Sequence, residues 1–228
     1  MYYQDCLDAF LDSNTADGVY HIHPVGGTPT TAWCDMTNGG WTVIQRRMDG
    51  SEDFERLWAE YAAGFGSRSG EYWLGLENMH YLTIQPSSLV IELETFPGTD
   101  PLTSVETYSN FSIGDSSTNY TLHVSGFEPS AQDCNVYTPS GHFAQVQNGL
   151  EFSTADHETV FYAGSWCSWN TRSGWWHDAI CFPYSLNGFY HQVGYTPLNG
   201  FYYENIAWYT CWDYTLPLMK TKMRVKRR

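Results

Sequence analysis

A chain of 228 residues and 26.1 kDa is long enough for one large core or two lobes, and 42% hydrophobic and 17% aromatic residues against 16% charged exclude an unfolded chain. Eleven Lys and Arg face twenty-five Asp and Glu for a net charge of −14, and six of those bases lie in the last nine residues, so the first 219 carry five bases, twenty-five acids and a net of −20. Such a body repels phosphate backbones and anionic head groups, which excludes nucleic acid and membrane surfaces as partners. Along the chain, Trp41–Arg47 (WTVIQRR) follows a Gly39-Gly40 turn and is rich in β formers, which predicts a strand entering a core. Phe54, Leu57, Trp58 and Tyr61 recur at helical spacing, with Asp53 placed to cap a helix and Gly64 to end it, and a short second helix is expected over 77–82. Strand-type runs follow at 89–95, 103–108 and 120–124, separated by Pro, Gly, Asp and Ser clusters. Between Phe161 and Tyr214, 18 of 54 residues are aromatic, in Gly-, Pro- and Asn-rich sequence of the kind that carries binding chemistry on loops. The basic tail alternates Thr221, Met223 and Val225 with Lys220, Lys222, Arg224 and Lys226, which reads as a closing strand with one solvated face and leaves only Arg227 and Arg228 free.

The longest uncharged stretch, 179–203, is interrupted by Pro183, Asn187, Gly188, Gly194 and Pro197, so no membrane insertion is expected, and the start of the chain does not read as a secretion signal. Six cysteines (Cys6, Cys34, Cys134, Cys167, Cys181 and Cys211) without a Cys-x-x-Cys pair favour disulfides over zinc, and spacing alone leaves all fifteen connectivities open. Sequons at Asn110 and Asn119 agree with an extracellular glycoprotein. No catalytic signature is present: there is no His-Glu-x-x-His, no Gly-x-Ser-x-Gly, no phosphate loop and no dinucleotide fingerprint. His21-x-His23 beside Pro24 reads as a loop pair without a ligand role. Asp156 and Glu158, two apart, suit a hard cation held by a turn better than they suit paired acid/base work.

Asp5-Cys6 with Gly18-Val19-Tyr20, Trp33-Cys34-Asp35-Met36, GGWTVIQRRMDGSEDFERLWAEYAAGFG (39–66) and GEYWLGLENMHYLT (70–83) resemble the fibrinogen-related domain of fibrinogen chains, ficolins, tachylectins, tenascins and angiopoietins. The resemblance resumes at Asn119-Tyr120, Leu122-His123-Val124, Phe152-Ser153-Thr154-x-Asp156, Gly174-Trp175-Trp176 and Ser185-Leu186-Asn187-Gly188, and so spans nearly the whole chain. It implies an α+β, fibrinogen C-terminal-like globe with a central, mainly antiparallel sheet, short helices and a loop-rich C-terminal binding lobe. One domain over 1–228 is expected, subdivided near 1–45, 46–145 with the closing strand 218–226, and 146–217. The resemblance also implies disulfides Cys6–Cys34 and Cys167–Cys181, leaving Cys134 and Cys211 as a third pair that is not typical of the family.

In the lectin-like members an acetyl pocket lies beside the second cysteine of the C-terminal disulfide. Carried over, this implies a cis Ile180–Cys181 peptide, pocket walls from Tyr202 and Tyr214, and a rim at Phe182, where those lectins usually have His. The family's calcium loop is implied at Asp156 and Glu158, but Val160 stands at its next acidic position, so a metal-free, disulfide-braced loop is preferred to calcium. The function expected is a secreted, non-enzymatic pattern-recognition lectin of innate immunity for acetylated or related glycans. A protein- or receptor-binding module without sugar binding is the alternative, and an extracellular hydrolase the weakest reading. Avidity would come from homo-oligomers, through a multimerising segment outside these residues or self-association.

Overall fold

The computed structural model of the chain describes residues 2–96, 103–129, 142–162, 165–179, 181, 184–190, 206–208 and 218–228. In chain order the elements are α1 (Cys6–Leu11), β1 (Gly18–Ile22), β2 (Thr30–Asp35), β3 (Trp41–Arg47), α2 (Trp58–Ala63), β4 (Phe65–Gly66), β5 (Tyr72–Trp73), α3 (Leu76–Leu82), β6 (Ser87–Thr95), β7 (Thr103–Ile113) and β8 (Leu122–Glu128). They continue with α4 (His142–Gln147), β9 (Phe161–Tyr162), β10 (Ser165–Trp166), α5 (Cys167–Thr171), β11 (Tyr184–Ser185), β12 (Ala207–Trp208) and β13 (Leu218–Arg227). The fold is α+β with a mainly antiparallel sheet of order β1-β2-β3-β13-β6-β7-β8, to which β5 adds beside β3 and β4 beside β5. The β3 strand has the bounds its sequence predicts, and β6, β7 and β8 lie where strand-type runs were read, each extended or shifted by a few residues.

The basic tail is the middle of this sheet. Between β3 and β6, β13 buries Thr221, Met223 and Val225 in the core, while its opposite face meets acids across the pairing. Lys222 contacts Glu92 at 2.7 Å, Arg224 pairs with Asp35 and Glu92, and Lys220 reaches Glu94 at 3.0 Å. Cross-strand opposite charges are favourable neighbours, so the alternation that suggested one solvated face here serves a neutralised one. The expectation that Arg227 and Arg228 are free is incorrect. Arg227 pairs with Asp5 and Asp8 of the N-terminal segment, and Arg228 donates to Asn110 Oδ1 at 2.9 Å.

The predicted helix begins four residues later than its apolar spacing indicated. Phe54 is a core residue on an extended approach, and the Asp53 carboxylate accepts the Glu55 N–H in a turn instead of capping a helix. Apolar spacing does not by itself require a helix, and here an irregular segment buries Phe54 while Leu57 is exposed. The first N–H of α2, that of Trp58, is taken at 2.9 Å by Asp156, 98 residues away. Gly64 ends α2 at φ +93°, as its position suggested, and a Cβ there would meet the Leu74 carbonyl at 2.5 Å.

The main core lies on one face of the sheet and is unusually aromatic: Tyr61, Trp73, Phe152, Trp175 and Trp176 are buried together, with ring centroids 5.0 to 6.5 Å apart in tilted or edge-on contacts. Their polar edges are satisfied, Trp175 Nε1 on Gln147 Oε1 at 2.9 Å and Trp176 Nε1 on the Tyr120 carbonyl at 2.8 Å. Disulfides Cys6–Cys34 and Cys167–Cys181 form with Cα separations of 5.3 and 5.1 Å. Cys134 and Cys211 lie outside the described residues. Of the two sequons, Asn110 is exposed on β7, whereas Asn119, in a left-handed turn at φ +50°, uses its amide to bond Glu151 and His157.

Candidate binding site

The Cys167–Cys181 disulfide fixes α5 to the segment leading into β11. The Cys167 N–H bonds the Val160 carbonyl at 3.2 Å and the Cys181 N–H that of Asp178 at 3.1 Å; Cys181 itself is buried at φ +55°, a left-handed conformation rare for a non-glycine residue. Exposed aromatic and apolar side chains stand at the starts of α5 and α2. Trp169 is 66% exposed with its indole N–H on the Ala155 carbonyl at 3.2 Å, Trp166 is 43% exposed, and Leu57 beside Asp156-capped α2 is 52% exposed. Arg172, also left-handed at φ +51°, donates Nε and Nη2 to Glu55 Oε2 at 2.9 and 2.6 Å while its guanidinium lies 4.5 Å over the Phe189 ring. This pair lines both a cavity of about 270 Å3, shared with Glu52, Asp53, Phe54 and Tyr190, and a smaller one of about 90 Å3 beside Trp169. The arrangement places exposed apolar side chains beside clefts in which Glu52, Asp53 and Glu55 meet Arg56 and Arg172. A larger cavity of about 440 Å3 lies on the sheet beside Trp33, Glu92 and Lys222, where the acids and bases already pair with one another.

The loop in which the resemblance implies calcium carries two carboxylates, Asp156 and Glu158, with Val160 at the next acidic position. Burial pushes the Asp156 pKa up, but hydrogen bonds from the Trp58 N–H and the Thr154 hydroxyl hold it below the ordinary carboxylate value. Both oxygens of Glu158 are buried without a hydrogen-bond partner, and burial raises its pKa against the pull of the nearby Ser168 and Trp169 N–H groups. Calcium takes six to eight oxygens with several carboxylates among them. Among the described residues no three His, Cys, Asp or Glu side chains come together as such a set.

Of the residues expected to form an acetyl pocket, Cys181 is described and is bonded to Cys167 at the start of α5. Ile180, Phe182, Tyr202 and Tyr214 lie outside the described residues, and with them the Ile180–Cys181 peptide bond. Trp175 and Trp176 belong to the core, so the aromatic wealth of 161–214 is in part structural. His21 and His23 stand on the exposed face of the β1 end with the Tyr2 ring edge-on to both at 6.0 and 6.1 Å. Sequence reasoning missed Leu57, Glu55 and Arg172; the last two are 117 residues apart, and no local pattern announces their pairing.

The whole chain compares closely with known proteins. The family model for the C-terminal globular domain of fibrinogen beta and gamma chains matches residues 2–228. Fibrinogen-like protein 1 of Bos taurus is 37% identical over 97% of this chain and 72% of its own length, and microfibril-associated glycoprotein 4 of Bos taurus is 36% identical over 98% and 84%. Among solved structures, the fibrinogen-like globe domain of human ANGPTL2 superposes with a TM-score of 0.86 at 30% identity, covering 99% of each chain. A lamprey fibrin D-dimer complexed with the peptide ligand Gly-His-Arg-Pro-amide superposes with a TM-score of 0.84 at 30% identity, covering 100% of this chain and 74% of that one. A match of this extent to the family model, together with relatives above 30% identity over almost the entire chain, makes the protein a member of the fibrinogen C-terminal globular domain family.

Proposed function

We propose that this globe is a secreted, non-enzymatic recognition module that binds a segment of an extracellular protein through the lobe built on Cys167–Cys181. The observation that carries this reading is the exposed Trp169, which lines one cleft with Glu55 and Arg172 while that pair lines a second with Glu52 and Asp53, and the exposed Leu57 at the start of α2. Rigid aromatic side chains give large contact area at little entropic cost, and although Glu52 pairs with Arg56 and Glu55 with Arg172, the net charge of −14 of the globe favours a basic segment. The peptide complex of the lamprey relative agrees with a peptide-type ligand, and the two disulfides agree with an oxidising, extracellular setting.

The glycan reading has one observation of its own. Cys181 holds a left-handed backbone at the position that the resemblance puts beside an acetyl pocket, and such outliers tend to be kept where they serve a site. Selection of a displayed random-peptide library on the globe, run beside a glycan array, separates the two. Peptides enriched in Lys and Arg whose binding is lost in a folded Trp169→Ala variant, with a silent array, support protein recognition. Array binding to N-acetylated sugars that Trp169→Ala leaves unchanged supports the lectin reading, and no response in either sinks both.

A further inference from the structure

We propose that side chains do the work of a metal in the 154–158 loop, through a clamp of Trp58, Asn119 and His157 that joins α2, the turn before β8 and the start of the binding lobe. Thr154 and His157 exchange backbone hydrogen bonds of 3.1 and 2.9 Å, closing a tight four-residue loop. The His157 ring lies on the Trp58 indole with centroids 4.0 Å apart and planes 29° apart, and its Nε2 is 3.0 Å from Asn119 Oδ1. Asn119 is itself held on both sides. Its Nδ2 donates to Glu151 at 3.1 Å, its carbonyl accepts the Phe152 N–H at 2.9 Å, and the next residue, Tyr120, is buried with its hydroxyl on Glu77 at 2.7 Å.

Several oxygens of the loop accept hydrogen bonds from the protein itself. The Thr154 carbonyl takes the His157 N–H, the Ala155 carbonyl takes the Trp169 indole N–H, and Asp156 Oδ1 takes the Trp58 N–H and the Thr154 hydroxyl. Asp156, bonded through Oδ1, and Glu158 are the two carboxylates of the loop, with Val160 two residues on, and two carboxylates are few for a cation whose affinity is set by the number of charged ligands. A stacked ring, a side-chain amide and a distant helix N–H therefore fix the loop that leads into Cys167.

Thermal unfolding and calcium calorimetry of the whole globe test this. The expected results are an unchanged Tm in EDTA and in millimolar calcium, no heat on calcium titration, and a Tm for Glu158→Gln at or above that of the parent. His157→Ala is expected to lower Tm by roughly 2 to 8 °C and to raise hydrogen exchange across 154–171. A calcium-dependent rise in Tm that Glu158→Gln abolishes overturns the proposal, as does a His157→Ala variant with unaltered Tm and exchange. The calcium measurements use the parent protein and decide the metal question even if His157→Ala does not fold.

Discussion

Glu71 has a fully buried carboxylate that accepts four backbone N–H groups, those of Met48, Asp49 and Gly50 on one oxygen and that of Glu52 on the other, at 2.6 to 3.1 Å. The chain leaving β3 wraps around it, which sets the 48–52 wall of the acidic cleft. Arg47 approaches at 3.8 Å from Nε without a hydrogen bond, because that carboxylate is already engaged. Its guanidinium instead lies 3.9 Å over the Phe54 ring and donates to the Gly188 carbonyl at 2.7 Å. Burial lowers the Arg47 pKa to about 10 while Glu71 pulls it back up, so the cation persists at neutral pH. His177 is the opposite case. Burial without a charged partner depresses its pKa to about 4, with Nδ1 unpartnered and Nε2 near the Thr171 hydroxyl and the Ser173 carbonyl. The unfolded chain takes up this proton below about pH 6.5 and the folded chain only near pH 4, so stability is complete above the first value and is lost as pH falls between the two. At about 1.4 kcal/mol per unit this reaches about 3 kcal/mol. Urea denaturation at pH 7 and pH 4.5 should show the loss, and His177→Gln should reduce it; an equal loss in the variant would assign it to other groups.

At the level of elements, α5 has five residues and cannot persist alone. Its position rests on the Cys167–Cys181 bridge, on Ser153 Oγ at 3.2 Å from Ser168 Oγ, and on Thr171 Oγ1 donating to the Cys167 carbonyl. Closing this short loop contributes about 3 kcal/mol in the chain-entropy model. The double variant Cys167→Ser, Cys181→Ser is therefore expected to unfold at lower urea by about that amount and to lose peptide binding in proportion, as measured by equilibrium denaturation and titration. Retained stability with lost binding would show that the bridge shapes the site more than it supports the fold. The elements also show which patterns a sequence reader can use. The strand β3, the helix α3 and the alternation of β13 were legible because each depends on neighbours a few residues away. The start of α2 was not, since Phe54 satisfies helical spacing from an extended segment and the capping carboxylate comes from Asp156. The Arg172–Glu55 pair in the candidate site was invisible for the same reason.

Over the whole molecule, the charge imbalance of the sequence resolves into a basic strand neutralised inside an acidic body. Arg46 over Trp33, Arg224 and Lys226 over Trp41, and the ion pairs of Lys220, Lys222 and Arg224 consume much of the cationic charge internally. What reaches solvent is the acid excess, which steers cations. Association of a Lys- and Arg-rich peptide selected on the globe should slow by about tenfold or more between low and physiological ionic strength, read by stopped-flow or surface-based kinetics. A rate indifferent to salt would point to a neutral ligand and away from electrostatic steering. The amino-acid sequence by itself determined the strand identity of the tail through local periodicity and the family through ordered motifs, and the α+β class and the two disulfides came only as what that resemblance implies. Only the tertiary structure decided that the tail is central and neutralised, that Trp175 and Trp176 are core while Trp166 and Trp169 face outward, and that Asn119 and Trp58 clamp His157. Each of these depends on contacts between residues tens to more than a hundred positions apart, where burial and pairing are set by the packed fold and leave no local pattern to read.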